Sequence, residues 1–488
     1  MTQTKMKLNR RQFAKLTFAA GALASALPAP ALLAETNVNE KIHMGGIGIG
    51  WRGGDHLNAF NGMDDVRLTA FADPDEARLL AARSRVKDAA TYRDMRKIFD
   101  DPSIDAVYVA TCNHWHCLAS IWAMQAGKHV YVEKPLSHSQ WEGDQVVKAA
   151  RKYDRICQVG TQQRSDPMQA EIKKFLHEEK GLGEILSCAV NRYGIRRTIG
   201  KRNTPLPIPE GVDYDLWLGP AQDEPLYREQ FHYDWHWDWN TGSGEMGNWG
   251  VHVLDDAINN VLLDKVAYPK AVLGGGARVT YNDAGETPNV HFVWFDTGSI
   301  PMVIGLSNIP MGPRSKSAGK FTGPGSGYCV YCEGGMFWGQ RGSGKAIDAN
   351  GKVIREFKGN MGGGHQRNFI DAVKAHDPSI QKAEVELANQ VTAWCNFANI
   401  AFRVGKPYQQ KNAEVLFGKT RGRWEELLAN TSELLAANDL TLENSGFALS
   451  GILNYDEKTG RFSGEGADEA NALLKREYRK GYAVPETV

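Results

Sequence analysis

Apolar and polar positions along residues 41–160 alternate in a way that predicts strands and helices in turn. Short apolar runs, typical of buried parallel strands, occupy 41–47, 66–72, 105–111, 129–132 and 156–160. Segments with a helical spacing of apolar residues separate them, at 54–61, 77–87, 117–126 and 141–153. This strand–helix rhythm predicts a parallel, doubly wound sheet with right-handed crossovers.

The pattern changes after about residue 166, where apolar strands follow one another with fewer helices between them. Strands are predicted at 184–193, 270–281, 289–296 and 300–306, and a long helix at 385–404. Helical spacing returns at 421–436 and 467–480. We therefore expect a second α/β domain followed by a helical C-terminal segment.

The first 34 residues have the pattern of an export signal. An uncharged stretch, 16–34, ends in small residues and follows the basic residues Lys5, Lys7, Arg10, Arg11 and Lys15. The paired arginines followed by Phe13 resemble a twin-arginine signal, which predicts a periplasmic or otherwise exported protein. The alternative is an uncleaved anchor, but Pro28 and Pro30 interrupt the apolar stretch, so we expect no stable membrane span after cleavage.

A glycine-rich turn links the first predicted strand to the first helix. It reads Gly48-Ile-Gly50-Trp51-Arg52-Gly53, and Asp73 ends the next strand 20 residues later. In this pattern the glycines allow a tight turn and close approach of a pyrophosphate, while the acid bonds the adenosine ribose. An acid at this position repels a 2′-phosphate, so NAD is the favoured cofactor. Because Arg52 can bind such a phosphate, NADP remains the less favoured alternative.

Three polar motifs follow later strands of the same predicted sheet. They contain Thr111, Asn113 and His116, then Glu133-Lys134-Pro135, then Gln162. Ligands of open parallel sheets bind beyond the carboxyl ends of the strands, so these motifs are expected at one site.

Together these motifs resemble the Gfo/Idh/MocA oxidoreductase family over roughly residues 41–410. The resemblance rests on the glycine turn, Asp73, the Thr111–His116 motif, Glu133-Lys134-Pro135 and Gly250-Val-His252-x-x-Asp255. It implies that NAD contacts Gly48, Gly50, Trp51, Arg52, Gly53, Asp73, Thr111, Asn113, His116, Glu133 and Gln162. It also implies a Rossmann domain followed by an α/β domain with an open, largely antiparallel sheet. The expected organisation is an export signal at 1–34, the NAD-binding domain at 41–165, the substrate and catalytic domain at 166–412 and a helical appendage at 413–488.

The resemblance assigns catalysis to Lys134 and His252. Histidine is the common base near neutral pH, and a buried cation stabilises a developing alkoxide. Asn248 stands four residues before His252, where well-studied members carry Asp, and Asn cannot act as a base. Asp255 and Asp256 follow His252 closely and are candidates for the missing charge.

Aromatic residues near His252 suggest a carbohydrate subsite, because aromatic faces pack on sugar C–H faces. The candidates are Tyr193, Trp235, Trp237 and Trp249, and the alternative is that they form the core of the second domain. The alternation at 235–239 predicts a strand. His232, His236 and Asp238, or the pair Cys329 and Cys332, have metal-ligand types, but their spacing is weak for zinc and we expect no metal.

Charge and composition narrow the function further. The 57 basic and 57 acidic residues balance, and removal of residues 1–34 leaves 57 − 5 = 52 basic against 57 acidic. This argues against a nucleic-acid partner. We expect an NAD-dependent homo-oligomeric enzyme that acts on a sugar, cyclitol or glycoside, with its cofactor tightly held. The alternatives are redox-assisted glycoside cleavage and a catalytically decayed carbohydrate-binding protein.

Overall fold

The computed structural model describes residues 41–416, 418 and 421–488. The expected export signal at 1–34 lies outside the described residues. Among the helices of the described ranges, we find none whose length and apolar character would allow a bilayer crossing.

The first of the two sheets found within the described residues is parallel throughout and has six strands in the order β3-β2-β1-β4-β5-β6. Its strands are β1 Ile42–Ile47, β2 Val66–Ala72, β3 Ala90–Tyr92, β4 Ala106–Val109, β5 His129–Val132 and β6 Cys157–Val159. The connecting helices are α1 Trp51–Asn61, α2 Glu76–Arg85, α3 Arg96–Phe99, α4 His116–Gln125 and α5 Gln140–Lys152. Strands β4 and β5 are buried at every position, as expected when helices cover both faces. The predicted Rossmann-type domain is confirmed.

The second sheet, again within the described residues, has twelve strands and is mostly antiparallel. Its main path runs β14-β13-β12-β11-β7-β10-β9-β8-β16-β15, with β17 and β18 added beside β8. The strands are β7 Ile185–Tyr193, β8 Ala271–Ala277, β9 Val290–Asp296, β10 Met302–Ser307, β11 Ser326–Cys332, β12 Gly335–Gln340, β13 Ser343–Asp348, β14 Val353–Lys358, β15 Lys406–Pro407, β16 Ala448–Leu449, β17 Leu453–Asp456 and β18 Arg461–Ser463. Only the β7–β10 pairing in this sheet, over the described residues, is parallel. The predicted largely antiparallel sheet is confirmed.

Eight further α-helices are found in the remaining described residues. They are α6 Met168–Lys173, α7 Tyr214–Leu218, α8 Val251–Ala257, α9 His365–Ala375, α10 Val385–Arg403, α11 Gln410–Ala413, α12 Arg421–Ala436 and α13 Ala467–Ala472. Helices α8 and α10 pack on one face of the second sheet, and α12 packs on the other. The start of α10, at Val385 and Ala388, belongs to the core of the first sheet, so this helix ties the two sheets together.

Two sequence expectations differ from the structure. The segment 413–488 is not simply helical, because its short strands β16 and β17 hydrogen-bond to the edge of β8. Segments of two to four residues carry too little periodicity to be recognised before the sheet edge is known. Residues 235–239 do not form a strand, since Asp234–Trp237 is a 3-10 helix. Its aromatic rings therefore do not share one side.

Candidate functional site

A cavity of about 520 Å³ lies at the carboxyl ends of the strands of the first sheet and is also walled by residues 196–252. This volume is typical of small-molecule sites. Most residues predicted for the site line it, namely Gly48, Gly50, Trp51, Arg52, Asp73, Thr111, Asn113, His116, Glu133, Lys134, Gln162, Trp235, Asn248, Trp249 and His252. The structure therefore brings together motifs that lie as far apart in the chain as Gly48 and His252.

The glycine turn forms the floor of the cavity and fits a pyrophosphate. Gly48 has a φ of +76°, and a Cβ on Gly53 would lie 1.8 Å from the Gly48 carbonyl oxygen. Gly53 does not face the cavity; it allows the turn to pack on itself. Helix α1 begins directly after Gly50, so its free N–H groups and positive end face the site. These features are what a bound dinucleotide requires.

Asp73 directly follows β2 and lies in the cavity wall. Its two oxygens accept hydrogen bonds from the backbone N–H groups of Ile49 (2.8 Å) and Asp75 (3.0 Å). Burial raises the pKa of Asp73, and the Arg78 guanidinium opposes that shift. A Cβ on Gly50 would lie 1.3 Å from Nη1 of Arg78, which places a cation where a pyrophosphate would approach the turn.

Glu133 is buried in the cavity wall, where its carboxylate contacts three other side chains. Its Oε1 accepts hydrogen bonds from Arg52 Nε (2.9 Å) and Gln162 Nε2 (3.0 Å), and lies 2.8 Å from His56 Nε2. Despite its burial, the charge of Arg52 and the hydrogen bond with His56 hold the pKa of Glu133 well below its usual range. Arg52 is thus held by a carboxylate, which weakens the NADP alternative. Glu133 positions Arg52 and Gln162 at the cavity wall.

Lys134 is fixed by the segment that carries Asn248. Its Nζ donates to the Asn248 backbone oxygen (2.6 Å) and to Asn248 Oδ1 (3.2 Å). The Asn248 amide nitrogen donates in turn to Glu245 Oε2 (3.1 Å), which keeps the amide oxygen towards Lys134. Burial lowers the pKa of Lys134 to about 8, although Glu133 and Glu245 oppose the shift. The amine is therefore near its titration point at neutral pH.

His252 lies on α8 with its ring beside Trp249, at 5.7 Å between ring centroids. Burial and the charge of Lys134 hold the pKa of His252 well below its usual range, so the imidazole is neutral. Neither ring nitrogen forms a hydrogen bond with any of the residues that the structure describes. A neutral ring that lines a cavity without such a bond is available to a ligand.

Asp255 does not reach the cavity, contrary to the sequence expectation. Its Oδ1 accepts a hydrogen bond from Arg164 Nε (2.6 Å), and both side chains are buried. A buried guanidinium is stable only beside a carboxylate, so Arg164 holds this side chain away from the site. Burial raises the pKa of Asp255 to about 6 and that of Asp256 well above its usual range. Neither residue supplies the charge that Asn248 lacks.

Two aromatic residues assigned to the substrate also lie elsewhere. Tyr193 stacks on Phe321, at 4.5 Å between ring centroids, and is absent from the cavity wall. Its ring packs against Gly305 and Gly319, which leave room for it beside β10. Trp237 is buried in the interior of its own segment. Neither residue lines the cavity, whereas Trp235 and Trp249 do.

Trp51 and Tyr233 both line the cavity and contact each other. Their rings stack at 5.3 Å, and each residue has a positive φ, 23° and 68°. Residues without a left-handed preference adopt such angles only where surrounding contacts hold them, commonly at functional sites. This contact connects the glycine turn to residues 196–252.

No group of three or more His, Cys, Asp and Glu side chains within the described residues is arranged to hold a metal ion. The three side chains considered from sequence turn to separate partners: His232 to Asp75, His236 to the Tyr233 carbonyl and Asp238 to Arg228. Cys329 and Cys332 are buried free thiols.

Several cavity residues were missed by sequence reasoning. They are Arg78, Met95, Arg96, Trp115, Trp122, Arg196, Tyr233, Arg341 and Tyr482. Arg78 and Trp115 had usable signals, because Arg78 lies in the first turn of the helix that follows Asp73 and Trp115 lies within the predicted Thr111–His116 motif. The others come from segments whose meeting at the cavity depends on tertiary packing.

Comparisons with known proteins agree with this geometry. Residues 42–161 match a model described as "Oxidoreductase family, NAD-binding Rossmann fold", and residues 190–300 match "Oxidoreductase family, C-terminal alpha/beta domain". The chain is 33% identical over 137 residues to inositol 2-dehydrogenase 2 of Saccharopolyspora erythraea, which covers 28% of this chain and 40% of that protein. It is 32% identical over 268 residues to the levoglucosan dehydrogenase of Pseudarthrobacter phenanthrenivorans, covering 51% and 61% respectively.

The fold is also similar to that of the WlbA dehydrogenase of Bordetella pertussis, solved with NADH and UDP-GlcNAcA. The TM-score is 0.56 at 18% identity, over 75% of this chain and 97% of that one. The matches to the two curated relatives span 40% and 61% of those proteins' lengths. Both family domains are matched in the same order along this chain. Residues of both matched ranges line one cavity, together with the glycine turn and Lys134. The protein therefore belongs to the Gfo/Idh/MocA oxidoreductase family, with an NAD-binding Rossmann domain.

Proposed function

We propose that the protein transfers hydride between nicotinamide and a hydroxyl or keto carbon of a sugar, cyclitol or glycoside. The observation that carries the proposal is the double hydrogen bond of Lys134 to Asn248. A tetrahedral amine that donates two N–H groups to protein oxygens keeps its remaining position for the ligand. In the neutral amine this position is a lone pair that can accept the proton of a substrate hydroxyl.

Hydride transfer, proton transfer and substrate orientation are assigned to different groups. Bound nicotinamide supplies the hydride acceptor or donor. Lys134 removes the hydroxyl proton at Nζ during oxidation and returns it during reduction. Its ammonium form then stabilises negative charge on the oxygen. The neutral imidazole of His252 can donate one N–H to the substrate and thereby orient the reacting carbon.

The choice of a polyhydroxylated substrate rests on the cavity and on the names of the relatives. Trp235 and Trp249 present aromatic surface at the same cavity as Lys134, which suits the C–H face of a ring sugar. Relatives named for inositol and levoglucosan support the same class.

A panel of sugars, cyclitols and aryl glycosides tests the proposal, with nicotinamide absorbance and product mass followed together. In a single turnover of protein loaded with NAD, we expect at least one compound to give a product two mass units lighter, with one NADH formed for each product molecule. Release of an aglycone without net NADH would instead indicate redox-assisted glycoside cleavage. Binding without turnover of any compound, by protein loaded with NAD, would indicate a decayed enzyme.

The pH dependence of oxidation provides a separate prediction. Because the base is the neutral amine of Lys134, kcat/KM is expected to rise with pH through an apparent pKa near 8. In Asn248→Asp a carboxylate replaces the amide beside Nζ, which favours the ammonium form and raises the pKa of Lys134. We expect the rising limb to move up by about one pH unit.

Asn248→Ala is the matched control, because it removes the hydrogen bond from the side chain without adding charge. Its rising limb is expected not to move upwards. The new carboxylate in Asn248→Asp also faces Glu245, so a lower melting temperature is expected for that variant. A limb that stays in place or moves down in Asn248→Asp would exclude Lys134 as the titrating base.

A further inference from the structure

The last residues of the chain return to the first domain and cover one end of the cavity. We call residues 476–488 the C-terminal strap. Val484 and Val488 are buried in the core of the first sheet, and Tyr482 is only 8% exposed. The strap is thus an integral part of the NAD-binding domain, although it lies more than 300 residues beyond that domain in the chain.

Polar contacts anchor the strap to the segment that walls the cavity. Arg479 donates to Asp215 Oδ1 (2.6 Å) and to the Gly219 carbonyl (3.0 Å). The Tyr482 hydroxyl donates to Asp215 Oδ2 (2.9 Å), and the Arg479 guanidinium lies over the Tyr482 ring at 4.9 Å. These contacts hold the ring of Tyr482 in one place.

The ring of Tyr482 lines the cavity together with other flat or apolar groups. It meets Trp115 edge-on, at 5.6 Å and 89°, and lies 6.4 Å from Trp122. Met95 and Arg96 line the same cavity, where α3 follows β3. This end of the cavity therefore combines aromatic surface, a thioether and a guanidinium.

The orientation expected for a bound dinucleotide shows which part of it would occupy this end of the cavity. Lys134 and His252 mark the reacting end, beyond β5, and the glycine turn after β1 marks the pyrophosphate. Asp73, after β2, marks the adenosine ribose. The adenine then lies beyond Asp73, towards the residues that follow β3, which is where Met95 and Arg96 line the wall.

We propose that the C-terminal strap is part of the cofactor site: Tyr482 completes the adenine pocket and slows the release of the cofactor. Aromatic surface and a guanidinium are the groups that bind a purine face. Because the ring is held through Asp215 and the buried end of the strap, it leaves the adenine only if these contacts loosen. The nicotinamide cofactor consequently stays with the enzyme between turnovers, whichever substrate it oxidises.

Binding of cofactor fragments to the full-length protein tests this proposal independently of turnover. In Tyr482→Ala we expect the Kd for ADP to rise about tenfold or more, the Kd for nicotinamide mononucleotide to stay within about twofold, and bound NADH to be lost faster on desalting. Tyr482→Phe retains the ring and is expected to keep the Kd for ADP within about threefold. Tyr478→Ala removes a ring of the same strap that is absent from the cavity wall, and should change neither fragment.

An unchanged Kd for ADP in Tyr482→Ala would overturn the proposal. Equal weakening of both fragments, or the same loss in Tyr478→Ala, would also overturn it, because either shows a general loosening of the domain. If Tyr482→Phe, which retains the ring, weakens ADP binding as much as Tyr482→Ala, the proposal is overturned as well, because the effect then follows the hydroxyl and its bond to Asp215 and not the ring. Should Tyr482→Ala not fold, Tyr482→Leu replaces it with the same expectations.

Discussion

Replacement of Lys134 by methionine is expected to lower kcat for oxidation by about a thousandfold. Methionine has a similar volume, so the apolar part of the side chain stays packed while the base and its positive charge are lost. The affinity for NADH should change by less than about threefold, because Lys134 bonds to Asn248 and the cavity's cofactor-facing turn is untouched. Steady-state kinetics on a substrate from the panel and NADH fluorescence titration measure the two quantities.

Lys134→Arg separates the loss of the base from the loss of charge. A guanidinium keeps the positive charge but does not deprotonate at accessible pH, so a base role predicts a loss almost as large as in Lys134→Met. Lys320→Met is the control for a lysine far from the site, since Lys320 is an exposed partner of Glu433. If Lys134→Met retains more than a tenth of the kcat of the unmodified protein, Lys134 is not the base.

The site residues that could be predicted from sequence are those whose position follows from the end of a neighbouring strand. Gly48, Gly50, Asp73 and Lys134 each follow a strand of the first sheet directly, so the parallel topology alone brings them to one edge. Five of the six strands are continuous apolar runs, which is why their bounds were predicted to within about two residues, whereas the three-residue, partly exposed β3 was not predicted.

The incorrect assignments depend on which way a side chain turns. Asp255 is only three residues from His252, but the buried Arg164 determines where its carboxylate lies. Tyr193 ends a strand correctly predicted from sequence, yet its ring packs on Phe321. Tyr482 is the opposite case: a polar tail with no motif reaches the cavity because its final valines complete an apolar core. Neither sequence spacing nor composition contains this information.

Gly53→Ala is expected to reduce cofactor binding by more than about tenfold and to destabilise the fold by about 1–3 kcal/mol. The added Cβ would lie 1.8 Å from the Gly48 carbonyl oxygen and 2.8 Å from its carbonyl carbon, and these are backbone atoms that no change of side-chain rotamer can move away. The turn must therefore open, and the N–H groups at the start of α1 shift away from the pyrophosphate. Titration with NADH and thermal unfolding measure the two effects.

The neighbouring Gly54 is the sharpest control, because the same methyl group is added one residue further along the same helix. There a Cβ would meet only the far end of Arg85, at 3.2 Å from Nη1, and the Ile49 carbonyl at 3.8 Å. The arginine end can move by a few tenths of an ångström, and alanine favours a helix over glycine by up to about 1 kcal/mol. Gly54→Ala should therefore bind NADH as the unmodified protein does and melt at an equal or higher temperature. If both variants lose NADH binding equally, glycine is required at the start of α1 because that start must be flexible. The close packing of Gly53 on Gly48 would then not be the cause of the loss.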